Sequence, residues 1–162
     1  MTMNIRRQPG TVLLLIVLVG SVQTLALAED LDSHDNRIVG LWDVQVSNFI
    51  CGTAVSVASF RGLHKFERGG TAQVVPATNP ALLSAHMGIW RHVERNKYKL
   101  DFKMFRFDAN GNNIGWTVVK ANVAINENAT GYAGSGQAEV FDANGNKVGM
   151  SCPAFTGTRF SQ

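Results

Sequence analysis

Hydrophobic and polar positions alternate with a period of two along most of the chain after residue 37. The clearest stretch alternates apolar and charged residues from Tyr98 to Met104, and a shorter one runs from Trp42 to Ser47. Half-buried strands produce this alternation, because successive side chains point to opposite faces of a sheet. No amphipathic helical stretch of useful length interrupts it. The pattern therefore predicts an all-β domain.

Short turn sequences rich in Gly, Asn and Asp divide this pattern into hairpins. The predicted turns lie at 67–70, 95–97, 108–111, 126–130 and 142–145, and they bound about eight strands in a meander. The Asn-Gly pairs at 110–111 and 144–145 supply residues that tolerate positive φ, as tight or bulged hairpin turns require. The main irregular insert is 76–86, where a short helical turn at 81–85 is expected.

Eight antiparallel strands in one small domain have two sheet edges to protect from pairing with other chains. Closing the sheet on itself removes both edges at once. We therefore predict a single antiparallel up-and-down β-barrel of about eight strands over residues 37–162. In such a barrel the first and last strands are neighbours.

The first 28 residues have the pattern of a cleavable secretion signal. Arg6 and Arg7 form a basic start, residues 11–25 are almost wholly apolar, and Ala26-Leu27-Ala28 supplies small residues at the cleavage point. The apolar run is too short to span a bilayer comfortably. The prediction is a secreted or periplasmic protein, cleaved near Ala28, with a polar leader at 29–36 and no integral membrane association afterwards.

Cleavage changes the charge balance on which any partner argument depends. The full chain has 15 basic and 12 acidic residues; Arg6 and Arg7 leave with the signal, so 13 basic residues face 12 acidic ones. The remaining basic residues are interleaved with apolar ones and form no block. Nucleic acid is therefore not an expected partner.

Two cysteines, Cys51 and Cys152, lie one near each end of the mature part. In an oxidising compartment an even cysteine count favours a disulfide, and in a closed barrel this bond would link the first and last strands. We predict the Cys51–Cys152 bond. The alternative is a pair of buried free thiols.

Two short motifs at opposite ends of the mature chain carry a resemblance to a known family. Gly40-Leu41-Trp42 has the Gly-x-Trp form found at the start of lipocalins and their calycin relatives, and Arg159 matches the basic residue that packs across the tryptophan in them. The chain thus resembles a lipocalin-like secreted barrel. The resemblance implies that Trp42 and Arg159 are structural, with the arginine on the indole face. It is also similar to small secreted bacterial proteins, a likeness that implies no function.

A second stretch resembles a different group of barrels. Residues 130–136 are similar to the T-G-x-[FY]-x-G-x-x-G stretch of dirigent and allene-oxide-cyclase-like barrels, which steer the cyclisation or coupling of a reactive ligand. A glycine-rich strand that bends at a barrel corner explains the same glycines. The resemblance implies, as an alternative, a cyclase or isomerase that uses Tyr132, Glu139 or Arg106. A third hypothesis is an interaction or inhibitor module that binds through the loop at 76–86.

The barrel lumen is where we expect a ligand, and a small hydrophobic molecule is the leading hypothesis. Arg106 continues the alternating face of 98–104 toward one mouth; pointing inward, it would need an acid such as Glu94 or Glu139, or an anionic ligand. The alternative is an exposed arginine at a strand end. Trp90 and Trp116 are candidates either for lining the cavity or for packing in the barrel wall. The candidate ligand-binding residues are Tyr98, Leu100, Phe102, Met104, Arg106, Trp90, Trp116 and Tyr132.

Catalytic and metal-binding signals are weak in the mature part. His34, His64, His86 and His92 do not pair at a spacing that puts two ligands on one face, although proximity of His64 and His92 in the fold is left open. The repeated Phe-Asp-Ala-Asn-Gly-Asn at 107–112 and 141–146 places its glycine fourth, which favours a hairpin turn over a calcium loop. We predict no catalytic residue, metal or cofactor, and the oligomeric state is left open.

Overall fold

A computed structural model describes residues 36–161 of the chain. The predicted signal at 1–28 and most of the polar leader lie outside the described residues. Eight antiparallel strands, each hydrogen-bonded to the next, form one closed barrel in which β1 also pairs with β8. This architecture confirms the predicted fold class. The strands are β1 (Gly40–Phe49), β2 (Ser56–Phe66), β3 (Thr71–Pro76), β4 (His86–Glu94), β5 (Lys97–Phe107), β6 (Asn113–Ile125), β7 (Gly131–Phe141) and β8 (Lys147–Arg159).

The two Asp-Ala-Asn-Gly-Asn turns are built by their own side chains. Asp108 accepts the backbone N–H groups of Asn110 and Asn112, both at 2.9 Å, and Asp142 does the same in the second turn. The glycines follow with φ values of 82° and 88°, which only glycine adopts freely. Both carboxylates therefore serve the hairpins, as the turn interpretation requires.

The connection between β3 and β4 differs from the helical turn expected at 81–85. The N–H of Leu82 donates to the carbonyl of Asn79, which closes a single turn. The chain then continues the sheet, because Leu83 bridges to Arg106 and the N–H of Ser84 donates to the carbonyl of Phe105. Backbone groups that would have paired within a helix are satisfied by the neighbouring strand instead.

One end of the barrel, here called the closed end, carries the short helical turn Asn36–Ile38 and the β2–β3, β4–β5 and β6–β7 connections. The Arg159 guanidinium lies 4.2 Å from the centre of the Trp42 ring. It donates to the carbonyls of Ala129 at 2.7 Å, Val39 at 2.8 Å and Arg37. This contact ties the last strand to the segment before the first one.

Gly40 makes this close approach possible. A Cβ atom at this position would lie 2.6 Å from Nη1 of Arg159, and the backbone φ of 132° is one that other residues rarely adopt. The Gly-x-Trp motif thus supplies both the space and the ring for the arginine.

The opposite end, here called the open end, carries the connections at 50–55, 77–85, 108–112 and 142–146. Cys51 and Cys152 form a disulfide there, with their Cα atoms 5.0 Å apart, which confirms the predicted bond. It lies where β1 pairs with β8, since Phe49 is opposite Cys152 in the register. The bond therefore joins the first and last strands at the open end.

Candidate ligand-binding cavity

A cavity of about 210 Å³ lies inside the barrel in its open half. Its position follows from strand direction: β1 and β5 run toward the open end and contribute their last inward residues, while β6 and β8 run away from it and contribute their first. The apolar wall is formed by Phe60, Phe102, Met104, Val119 and Phe155 among others. The polar lining residues are Asn48, His64, His86, Arg106, Thr117 and Ser151.

His64 points inward from β2 and is 1% exposed. Its Nδ1 lies 2.7 Å from the hydroxyl of Tyr132. Among the described residues the hydroxyl has no other acceptor for its proton, so we assign it as the donor, which places the imidazole proton on Nε2. Burial, and to a smaller degree the nearby His86, lowers the pKa of His64 to about 3. The ring is therefore neutral at physiological pH.

His86 begins β4 and is 6% exposed. It lies in the same row of the sheet as His64, because both residues pair with Val74 of the strand between them. Its Nε2 is buried without a hydrogen-bond partner in the part of the chain that the structure describes. Burial lowers the pKa of this histidine to about 4, so it too is neutral at physiological pH.

Arg106 lies on β5 at the mouth of the cavity and is half-buried. The two acids that the sequence offers it are engaged elsewhere: Glu94 pairs with Lys97 at 2.7 Å and Glu139 with Lys147 at 2.6 Å. No ion pair within residues 36–161 includes Arg106. None of the cavity-lining residues is a carboxylate. Among the described residues, the only formal charge on the cavity lining is therefore positive.

The eight candidate ligand-binding residues do not all lie together. Phe102, Met104 and Arg106 line the cavity. Tyr98 and Leu100 point inward as the alternation predicts, and Trp90 and Tyr132 are buried as well, but all four belong to the packed core outside the cavity lining. Tyr98 and Leu100 lie outside the cavity lining because β5 starts at the closed end, so its first inward residues pack far from the mouth.

Trp116 is the one candidate that the structure places on the outside of the barrel. Its neighbours Thr117 and Val119 set the inward positions of β6, so Trp116 faces outward and stacks on Phe141 of β7 with ring centres 5.6 Å apart. The ammonium of Lys103 lies 4.8 Å from the Trp116 ring. This tryptophan thus belongs to a surface cluster and has no part in the lumen.

The three residues proposed for a cyclase are not brought together either. Tyr132 is buried and its hydroxyl is hydrogen-bonded to His64. Burial raises the pKa of Tyr132 well above its usual value. Glu139 faces the outside of β7, where it is paired with Lys147. Arg106 alone lines the cavity.

Most of the residues that line the cavity were missed by the sequence analysis, among them His64, His86 and Phe155. The alternation Phe60, Gly62, His64, Phe66 on β2 would have identified His64 as inward-facing. His86 lies at the end of the predicted irregular insert at 76–86, where no alternation of side chains is expected. The histidine near His64 is His86, whereas His92 contacts the Tyr98 ring and the carbonyl of Arg95.

Within residues 36–161 no group of three or more His, Cys, Asp or Glu side chains could hold a metal ion. That described part of the chain also contains no helix long and apolar enough to cross a membrane.

Comparisons with known proteins identify no family. No protein-family model matches the chain, and no curated protein matches it. Among solved structures, the chain is similar to a redesigned β-barrel, at 14% sequence identity and a TM-score of 0.49, over 78% of this chain and 94% of that one. The architecture is thus established from the strand pairing itself, as a closed antiparallel up-and-down barrel of eight strands.

Proposed function

We propose that the protein binds a small hydrophobic molecule in the open half of its barrel. The observation that carries this proposal is the cavity of about 210 Å³, walled mainly by aromatic and aliphatic side chains. A dry apolar cavity of roughly 150 Å³ already accepts a benzene-sized molecule. A ligand with one ring, or a short branched chain, therefore fits the volume, and a drug-sized molecule does not.

Two alanines on the same strand provide a matched test. Ala138 of β7 lines the cavity, whereas Ala133 of the same strand is exposed on the outer face. Toluene should raise the melting temperature of the oxidised mature protein and shift the methyl NMR signals of Val46, Val74 and Val119. Ala138→Leu should fill part of the cavity and weaken toluene binding about tenfold or more, and Ala133→Leu should leave it unchanged.

The proposal fails if toluene and similar neutral probes neither stabilise the protein nor shift these methyl signals. It also fails if Ala133→Leu and Ala138→Leu weaken binding equally, since the probe would then sit outside the barrel. A folded NMR spectrum of each variant shows that any loss reflects the filled cavity.

We further propose that the protein works in a secreted or periplasmic compartment. The Cys51–Cys152 disulfide supports this, because such bonds persist mainly in oxidising environments. N-terminal sequencing of the protein isolated outside the cytoplasm should begin close to Glu29. Recovery of the chain with Met1 intact and both thiols free would overturn the proposal.

A further inference from the structure

We propose that the ligand is a small monocarboxylic acid, with its apolar part inside the barrel and its carboxylate held between Arg106 and His86. This inference rests on the proposed function and adds the chemical class of the ligand. It is built from three independent features of the cavity: its charge, an unpartnered buried atom and its volume.

The charge of the cavity favours an anion over a neutral or cationic ligand. Arg106 is half-buried at the mouth, no carboxylate from residues 36–161 lines the cavity, and Glu94 and Glu139 are paired with lysines. A guanidinium that is partly withdrawn from water without an acid partner gains most from a ligand that supplies one. Planar, two-point hydrogen bonding makes arginine well suited to a carboxylate.

The buried Nε2 of His86 indicates where a second polar contact forms. This atom has no hydrogen-bond partner among the described residues, although nearly all buried polar groups in folded proteins have one. His86 and Arg106 lie on the adjacent strands β4 and β5 and line the same cavity. A carboxylate at the mouth can accept from Nε2–H with one oxygen and from the guanidinium with the other.

The rest of the cavity selects the body of the acid. Phe60, Phe102, Val119 and Phe155 offer only apolar surface to whatever lies below the carboxylate. The volume of about 210 Å³ admits one ring with a short link to the carboxylate. Phenylacetate and cyclohexanecarboxylate have this composition and serve as probes.

The test compares phenylacetate with 2-phenylethanol and phenethylamine, which share the ring but carry a neutral or a positive head group. Isothermal titration of the oxidised mature protein near pH 7 should show phenylacetate binding about tenfold or more tightly than the alcohol. The amine should bind most weakly. Equal affinities for the acid and the alcohol would overturn the carboxylate assignment while leaving the proposed function intact. No binding of any of the three would overturn both.

Variants separate the head-group contacts from folding. Arg106→Gln should weaken phenylacetate about tenfold and leave 2-phenylethanol unchanged. Arg91→Gln, on the exposed outer face of β4, is the matched control and should change neither. A loss of phenylacetate affinity as large in Arg91→Gln as in Arg106→Gln would show a general charge effect and overturn the assignment to Arg106.

A spectroscopic readout tests the contribution of His86. His64, His86 and Arg106 are the titratable or charged groups on the cavity lining, and the Tyr132 hydroxyl contacts His64 from behind. A carboxylate beside His86 favours its protonated form, so phenylacetate should raise the pKa of His86 in an NMR titration, and 2-phenylethanol should not. Unchanged titration in the phenylacetate complex would remove His86 from the site.

Discussion

Two neutral histidines buried on one cavity wall should make the stability of this barrel fall steeply in mild acid. The folded state lowers the pKa of His64 to about 3 and that of His86 to about 4, against 6.5 for an unrestrained histidine. Because the unfolded chain binds protons first, the stability these rings provide is complete above pH 6.5. It is lost as the pH falls from 6.5 toward the folded values.

The magnitude follows from the width of that window. Each pKa unit corresponds to about 1.4 kcal/mol, so lowering the pH from 8 to 5 crosses about one and a half units for each histidine. Between pH 8 and pH 5 each histidine should therefore lower the free energy of unfolding by about 2 kcal/mol, and the pair should lower it by up to about 4 kcal/mol. A typical domain has only about 5–15 kcal/mol to lose, so the effect is measurable.

The surroundings of the rings support the sign of this effect. In the described part of the chain no carboxylate lines the cavity to stabilise an imidazolium, and Arg106 adds a further positive charge. Protonation of His64 at Nδ1 would also remove the acceptor of the Tyr132 hydroxyl. Hydrogen bonds with Lys65 and Asn112 lower the pKa values of Glu67 and Asp108, which moves the titration of these carboxylates away from the histidine window.

The assay is urea denaturation at pH 8 and pH 5, with the disulfide intact. The wild-type protein should lose up to about 4 kcal/mol between the two conditions, and His86→Gln should lose about 2 kcal/mol less than the wild type. Thr117→Val changes the same cavity wall without removing a titrating group, so it should keep the wild-type pH dependence. Equal stability of the wild type at both pH values, or an unchanged pH dependence in His86→Gln, would refute the reasoning.

Three variants test the contacts that close the barrel, each by urea denaturation near pH 7. Arg159→Met removes three bonds to backbone carbonyls and the indole contact, and should cost about 3 kcal/mol; a loss below about 1 kcal/mol would contradict its structural role. Cys51 and Cys152 are 101 residues apart in the sequence, and replacing both by serine removes the cross-link between them. The free energy of unfolding should fall by up to about 4.7 kcal/mol, because the unfolded chain is no longer constrained. Unchanged stability would argue against this entropic account. Gly157→Ala places a Cβ atom 2.4 Å from the Tyr132 ring and should cost about 1–3 kcal/mol; a neutral effect would show that the ring can move aside.

Much of the fold could be predicted because its determinants are local. Side-chain alternation sets strands, and Asn-Gly turns set hairpins through the positive φ of Gly111 and Gly145. Closure then follows from the need to remove sheet edges, and the disulfide from the adjacency of β1 and β8. The exception is the connection at 77–85, where Leu83 pairs with β5 instead of forming a helical turn.

The cavity could be predicted only in part, because its location depends on which end of each strand meets the open mouth. The alternation correctly predicts that Tyr98 and Phe102 point inward, but it does not indicate that β5 begins at the closed end. The position of Trp116 is open from sequence for a related reason, because an aromatic residue is equally compatible with the lumen and with wall packing. In the structure Thr117 takes the inward position, and Trp116 stacks on Phe141 outside. His86 could not be recognised as a cavity residue from sequence, because β4 and its pairing with β3 begin at His86, within the stretch expected to be irregular.

Two arginines at opposite ends of the barrel show how the same side chain differs in its surroundings. At the closed end Arg159 lies on the indole of Trp42 and donates to three backbone carbonyls, so its hydrogen bonds are made within the protein. At the open end Arg106 lines the cavity, while Glu94 and Glu139, the acids that the sequence suggests for it, are paired with lysines. Partner bonds stabilise a structural cation in the absence of ligand, whereas an unpartnered one is stabilised when an anion binds. This asymmetry is why substitution of Arg159 should reduce stability, while substitution of Arg106 should reduce the affinity for carboxylate ligands.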